Sequence, residues 1–199
     1  MNAKIVAESA ELNHRIRRLL AVIRSITVHM QIHDQNAEES AVHLAGRVGA
    51  IGRVALTSIA AGVDLESLVL DELLVHHRSG ITIDGPEVRL NAKSAELVGL
   101  LIHELVTNSV KFGALSQSQT QLRVVWWFSG AKDSRLHLEW GENGVRMPFA
   151  TGKKPGFGSQ VVKRLIASEL HGEGDMLFLS EGVLCTIEFP ASEALLAYE

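Results

Sequence analysis

The stretch HELVTNSVKFGALS, residues 103–116, combines the pattern of a core helix with an unusual set of polar groups. Glu104 and Asn108 are four residues apart, and Asn108 and Lys111 are three apart, so all three side chains share one helix face. The leucines at 97, 101 and 105 belong mainly to another face, and Gly113 ends the apolar pattern. The stretch therefore predicts a helix with one core face and one row of polar side chains.

This polar row has the chemistry of a site for a metal-bound polyphosphate. Mg²⁺ prefers hard oxygen ligands and keeps several waters, so the Asn108 oxygen together with phosphate oxygens is a plausible ligand set. Lys111 can neutralise phosphate charge. The alternative is an amphipathic helix with a solvated polar stripe, and the helix taken by itself favours that alternative.

Two later segments add to the argument. WGENGVRMP places Glu142 and Gly144 directly after a predicted strand, where backbone can approach a flat ligand. GFGS, residues 156–159, opens a predicted helix, whose free N–H groups and dipole favour phosphate. A Gly-x-Gly before a helix is a weak signal alone. The order of the three features, polar helix, acidic turn and glycine-rich helix start, is more specific.

The first sixty residues show a different pattern. Apolar residues alternate at spacings of four and three, which is a heptad seam, at Leu12, Ile16, Leu19, Ile23, Ile26 and Met30. A second segment repeats it at Leu44, Val48, Ile51 and Ala55, after a turn in HDQNAEES. The pattern predicts a helical hairpin over residues 1–62 that dimerises into a four-helix bundle. Packing of the seam on the chain's own C-terminal domain is the open alternative.

Residues 63–199 read as a separate α/β unit, beginning after Gly62 with Asp64 as a helix N-cap. Helices are predicted at Leu65–His76, Ala92–Phe112 and from the GFGS segment onward. Strands are predicted in ITIDG, PEVRL, QLRVVWWFSG, RLHLEWGENG and on both sides of SEG in GDMLFLSEGVLCTIEFP. The expected fold class is α+β, a helical hairpin followed by a two-layer α/β sandwich.

Composition excludes several function classes. The 199 residues carry a net charge of −4, which argues against bulk nucleic-acid binding. The apolar runs are far shorter than the roughly 20 residues of a membrane helix, and the N-terminus lacks the pattern of a signal peptide. The single cysteine, Cys185, cannot form an internal disulfide. A cytoplasmic protein is expected, with no membrane partner.

HELVTNSVKFGALS resembles the N-box of the GHKL ATP-binding fold, in the form found in HWE-type sensor histidine kinases. That family is named for a histidine in this box and a later Trp-x-Glu, which match His103, Trp140 and Glu142. KPGFGSQVVKRLIASEL is similar to the last glycine box, and GVLCTIEFP to the closing strand. ELNHRIRRLLAVIRSI resembles the helix that bears the phosphoacceptor histidine. The similarity extends from about Leu12 to Pro190.

The resemblance implies a role for each matching residue. His14 would accept the phosphoryl group, Asn108 would coordinate Mg²⁺, and Glu142 would hydrogen-bond the adenine amino group. Glu104 would lie beside the metal and phosphates, and Lys111 would neutralise phosphate charge. The remaining members of the implied ATP site are Gly144, Gly156, Gly158 and Ser159. The resemblance gives no role for His103 and Trp140.

His14 also suits this role by position, since it lies between the seam residues Leu12 and Ile16 and so faces solvent. An imidazole with a pKa near about 6.5 is largely neutral at pH 7 and can act as a nucleophile. Two departures from the family pattern are Arg18, at a place where asparagine is usual, and Gly141 between Trp140 and Glu142.

The sequence thus predicts a dimeric histidine kinase that uses ATP and Mg²⁺ and passes the phosphoryl group to an aspartate of a response-regulator receiver domain. About ten residues precede the segment that resembles a kinase core, so a separate sensory partner is a further expectation. One alternative is a histidine phosphotransfer relay with a degenerate ATP-binding domain. Another is a serine kinase or anti-sigma switch of the same fold, which the LNHR helix disfavours.

Overall fold

The structure, a computed structural model, describes residues 16, 37–57, 62–74, 76, 80–130, 134–146 and 166–195. The chain divides into two compact units, Met1–Val48 and Gly49–Glu199. The predicted first heptad helix and most of the glycine-box segment lie outside the described residues. The predicted boundary between residues 62 and 63 stays a prediction.

The described helices follow the predicted order along the chain, and a short helix after the last strand, which was not predicted, is added to them. They are α1 (Ala37–Thr57), α2 (Leu65–Leu73), α3 (Ala92–Phe112), α4 (Ile166–Leu170) and α5 (Ala191–Ala194). The strands are β1 (Val63–Asp64), β2 (Ile81–Asp84), β3 (Arg89–Leu90), β4 (Gln121–Ser129), β5 (Arg135–Asn143), β6 (Glu173–Leu179) and β7 (Gly182–Pro190).

Five strands form one mixed sheet in the order β2-β4-β5-β7-β6, and β1 and β3 form a separate antiparallel pair. Strand β2 runs parallel to β4, whereas the other neighbours in the large sheet are antiparallel. Trp140 on β5 lies opposite Val124 on β4 and Cys185 on β7, and all three are buried. Because alternate residues of a strand face opposite sides, this row marks the core face of the sheet.

Helix α3 has the bounds that its sequence predicted, and its apolar residues are buried from Ala95 to Val106, whereas Val110 and Phe112 in the last turn are exposed. Asn91 caps its N-terminus, since the Asn91 Oδ1 atom accepts a hydrogen bond from the Ser94 N–H at 2.9 Å. The Asn91 Nδ2 group donates to the Glu193 carbonyl at 2.8 Å, and the Asn91 N–H donates to the Ala194 carbonyl at 2.8 Å. The start of α3 is therefore tied to the segment that follows β7.

Two element boundaries differ from the prediction. Helix α2 ends at Leu73, three residues before the predicted end at His76. Leu74 is exposed, so a further turn would bury little apolar surface, and the His76 N–H instead bonds to the Leu73 carbonyl in a tighter turn. In PEVRL, the strand is restricted to Arg89–Leu90, because β1 offers a partner only two residues long.

The start of α2 agrees with the prediction. The Asp64 Oδ2 atom accepts from the Ser67 N–H at 2.9 Å and from the Ser67 hydroxyl at 2.7 Å. Gly62, expected to break the preceding segment, has a φ of 68°, a left-handed conformation that favours glycine.

Candidate functional site

The polar row of α3 runs from the core to solvent. Glu104 is buried, with 5% of its surface exposed, whereas Asn108 and Lys111 are exposed near the C-terminal end of the helix. Asn108 and Lys111 therefore have side chains that a ligand outside the helix can reach. A uniformly exposed polar stripe would leave Glu104 in solvent, but this residue is buried.

The buried carboxylate of Glu142 connects the end of α3 to β5. Glu142 belongs to the Trp-x-Glu motif identified in the sequence. Glu142, 4% exposed, accepts a hydrogen bond from the Trp140 indole N–H at its Oε1 atom, at 2.8 Å. Its Oε2 atom accepts from the Ala114 backbone N–H at 2.6 Å. We call the three groups, the Trp140 indole, the Glu142 carboxylate and the Ala114 N–H, the Glu142 clamp.

Gly113 makes the clamp possible through its small size. A Cβ atom added there would overlap the Glu142 Oε2 atom and lie 2.8 Å from the Ser109 Cα. Its φ of −110° is open to any residue, so space and not backbone freedom requires glycine at this position. The glycine of VKFGALS thus lets the Glu142 carboxylate approach the chain directly after α3.

The loop after α3 is further held by its own polar side chains. The Ser109 hydroxyl accepts from the Leu115 N–H at 3.1 Å, and the Ser116 hydroxyl donates to the Gly113 carbonyl at 2.8 Å. The Thr120 hydroxyl lies 2.7 Å from the Ala114 carbonyl, to which it donates. Residues 113–120 therefore form an ordered connection between α3 and β4.

Gly144 lies at the end of β5 beside this loop. Its φ is 73°, and an added Cβ would lie 3.1 Å from the Gln119 carbonyl oxygen. The Arg146 N–H donates to the Gln117 Oε1 atom at 3.0 Å, which ties the segment after β5 to the same loop. Glu142 was predicted to follow the strand directly, but it lies within β5, because the pairing with both neighbouring strands continues to Asn143. Only Gly144 follows the strand, and this end of β5 adjoins the loop after α3.

The second family marker, His103, connects two helices. Its Nδ1 atom lies 2.9 Å from the Glu72 Oε2 atom of α2, and the two side chains are 18% and 12% exposed. This pair fixes α2 beside the middle of α3. Sequence reasoning missed Glu72 because the partners are 31 residues apart and no local pattern links them.

The structure thus brings together some of the predicted site residues and leaves others undescribed. Glu142 and Gly144 adjoin the loop that follows Asn108 and Lys111. The phosphoacceptor candidate His14, its neighbour Arg18, and the glycine-box residues Gly156, Gly158 and Ser159 lie outside the described residues. Sequence reasoning also missed the Ala114 N–H; the small residues of the FGA triplet were the available signal.

Within the described ranges, no helix has the length and apolar character needed to cross a bilayer. In the same part of the chain, no group of three or more His, Cys, Asp and Glu side chains is arranged to hold a metal ion.

The fold is similar to that of a histidine kinase domain. The histidine kinase domain of the Erythrobacter litoralis EL346 blue-light-activated histidine kinase superposes with a TM-score of 0.54 at 16% identity, over 89% of this chain and 95% of that one. The longer structure of the same kinase gives a TM-score of 0.61 at 21% identity, over 92% of this chain and 59% of that one. The predicted α+β, GHKL-like class is confirmed.

The predicted resemblance to the HWE histidine kinases is also confirmed. Residues 11–87 match the model of the HWE histidine kinase family. A blue-light-activated histidine kinase of Rhizobium johnstonii is 27% identical over 188 residues, 92% of this chain and 52% of the relative. Blue-light-activated histidine kinase 1 of Erythrobacter litoralis is 28% identical over 93% of this chain and 53% of the relative. The chain spans about half the length of these curated relatives.

Proposed function

We propose that the chain is a histidine kinase core that phosphorylates His14 with ATP and passes the phosphoryl group to an aspartate of a receiver domain. The main support for the proposal is the hydrogen bond between the two motifs that resemble the family, from the Ala114 N–H of HELVTNSVKFGALS to Glu142 of Trp-x-Glu. The Trp-x-Glu carboxylate holds the loop directly after a helix whose exposed end carries Asn108 and Lys111. A relay protein that does not bind nucleotide needs none of these groups.

The exposed end of α3 suits a metal-bound triphosphate. The Asn108 carboxamide supplies a hard oxygen ligand. Mg²⁺ needs only one or two protein ligands when phosphates and waters complete its coordination shell. When bound, the ion neutralises charge on the phosphate oxygens. Lys111 adds a positive charge one turn further along the same face. Glu104, deeper on that face, would orient groups beside the metal.

Glu142 suits the recognition of adenine. A carboxylate has about four acceptor positions, and the clamp uses one on each oxygen. The 6-amino group of adenine can donate to a remaining position. Gly144, with its left-handed backbone, lets the chain turn closely beside the base, and Gly156, Gly158 and Ser159 would cover the phosphates.

The chemical step proposed for His14 requires little beyond positioning. A neutral imidazole nitrogen attacks the γ-phosphorus of ATP, the bond to the β,γ-bridging oxygen breaks, and ADP leaves. The P–N bond of the phosphohistidine then breaks as the receiver aspartate accepts the phosphoryl group. The protein contributes alignment and charge neutralisation in both transfers.

The comparisons favour a kinase over the relay alternative, since the similar curated proteins are named histidine kinases. A cytoplasmic location and a receiver-domain partner belong to the same proposal.

We further propose a homodimer through the N-terminal helices, with residues 1–62 as the dimerisation and phosphotransfer hairpin and 63–199 as the catalytic domain. Val48, a position of the second heptad pattern, is 41% exposed in the single chain. A partly exposed, large apolar side chain on a heptad position suits a contact between subunits.

The test is to incubate the purified chain with γ-labelled ATP and Mg²⁺. We expect acid-labile, alkali-stable label, lost in His14→Gln and retained in His29→Gln, a histidine of the same hairpin. Asn108→Ala should slow labelling by about 100-fold or more, because metal positioning contributes several kcal/mol. Lys93→Ala, at the opposite end of α3, is the matched control and should label normally.

Absence of both label and ATP binding in the wild-type chain would contradict the kinase proposal. A phosphorylated receiver domain offered as the donor would then test the relay. Label on His14 from that donor would identify a phosphotransfer protein.

A further inference from the structure

Trp140 is the largest fully buried side chain of the described core, yet its one polar group is directed to Glu142. Two residues apart on β5, the two side chains lie on the same side of the sheet. The Trp140 ring is fixed by its buried place between Val124 and Cys185 on the neighbouring strands. Its indole N–H therefore has a fixed position from which to hold a carboxylate.

The Glu142 carboxylate is held from two directions. The indole N–H comes from the same strand, and the Ala114 N–H comes from the loop after α3, 28 residues away in sequence. One donor on each oxygen fixes both the position of the carboxylate and the rotation of its plane. Without the indole donor, the buried Oε1 atom loses its hydrogen bond and the plane is free to rotate about the remaining contact.

Building on the proposed ATP site, we infer that Trp140 is a positioning residue that sets the choice between adenine and guanine nucleotides. Adenine presents an amino donor at C6, which a carboxylate accepts. Guanine presents a carbonyl oxygen at C6, which a carboxylate repels. Discrimination of this kind requires the carboxylate to stay in one orientation, because a rotated carboxylate weakens the attraction and the repulsion together.

The test compares Trp140→Phe with Trp126→Phe in the full chain. Trp126 is the matched control, since it is also buried and its indole N–H donates to the Pro86 carbonyl at 2.7 Å, outside the clamp. Calorimetric titration with Mg-ATP and Mg-GTP gives the affinity ratio of each variant. We expect Trp140→Phe to lower the ATP-to-GTP ratio about tenfold, the effect of one hydrogen bond to a charged group. Trp126→Phe should leave the ratio unchanged.

A wild-type chain that prefers ATP, together with an unaltered ratio in Trp140→Phe, overturns the inference and leaves the proposed function intact. A wild-type chain that binds neither nucleotide overturns both.

If Trp140→Phe does not fold, Glu142→Gln tests the clamp by NMR. Loss of the charged acceptor should shift the Trp140 indole N–H resonance upfield and speed hydrogen exchange at the Ala114 amide, with the Trp126 indole signal unchanged. Unchanged Trp140 and Ala114 signals would overturn the clamp on which the inference depends.

Discussion

At the scale of single residues, the absence of a side chain at Gly113 is as important as the presence of one at Glu142. The carboxylate occupies the space that a Cβ of residue 113 would fill. Because the overlap involves both this carboxylate and the Ser109 backbone, small adjustments cannot relieve it.

Gly113→Ala should therefore destabilise the fold by about 2–3 kcal/mol, the upper range for overpacking a buried site. The measurement is urea unfolding followed by circular dichroism. Gly52→Ala is the control, since Gly52 lies within α1 and an added Cβ meets nothing within 4 Å. Alanine there should raise stability by about 0.5–1 kcal/mol through helix propensity. Equal effects of the two substitutions would contradict the role given to Gly113.

Cys185 on β7 supplies a prediction that depends on pH. Burial, and secondly the charge of Asp175, raises the pKa of its thiol from 9.0 to about 12. The folded chain therefore keeps the thiol proton between pH 9 and 12, where the unfolded chain loses it, so this contribution to stability is complete below pH 9 and declines above it.

At pH 8 the native protein should not react with a disulfide reagent such as DTNB, because thiolate is the reactive form. In urea one thiol per chain should react, since Cys185 is the only cysteine. Rapid reaction of the native chain would show that the thiol is accessible. Cys185→Ala should show a smaller loss of stability between pH 9 and 11 than the wild type.

At the scale of elements, α3 makes side-chain contacts that connect it to three other parts of the fold. Its first turn is joined to the segment after β7, its middle to α2 through His103, and its end to β5 through Glu142. The predicted helix had the observed bounds because the signals are local: an apolar period of helical spacing and Gly113 as the stop.

The contacts made by α3 could not be predicted in the same way. Sequence patterns report on neighbours a few residues apart, whereas the Glu142–Ala114 and His103–Glu72 contacts join residues 28 and 31 apart. Strand β1 was missed for a related reason, since a strand of two residues has no period. Its partner β3 lies within PEVRL, where a strand was predicted. The family resemblance implied the functional role of Glu142, but only the structure shows that Glu142 is buried and held by two hydrogen bonds.

His103→Ala should lower the free energy of unfolding by about 1.5–3 kcal/mol, since it leaves the largely buried Glu72 carboxylate without this partner. Thermal and urea unfolding would measure the loss. Lys93→Ala is the control on the same helix, because the Lys93–Glu169 pair is more exposed and longer, at 3.7 Å. Its effect should stay within about 0.5 kcal/mol. A change in His103→Ala no larger than the control would contradict the connecting role.

At the scale of the whole molecule, the proposed dimer is based on the heptad pattern of residues 12–30. Light scattering should give about twice the 21.7 kDa mass of one chain. Ile23→Asp places a charge in the predicted seam and should yield monomers, since a buried unpaired charge is costly. Ser25→Asp adds the same charge outside the seam and should remain dimeric. ATP binding should persist in both, and a dimeric Ile23→Asp would contradict the proposed interface.

The hydrogen bonds between Asn91 and the segment after β7 have a practical consequence for the design of fusion proteins. About 25 Å of helix separates Asn91 from Asn108, at 1.5 Å per residue. A fluorescent reporter joined behind residue 195 would therefore be anchored at the end of α3 far from the polar side chains. Such a fusion would leave the exposed end of α3, with Asn108 and Lys111, open to a ligand.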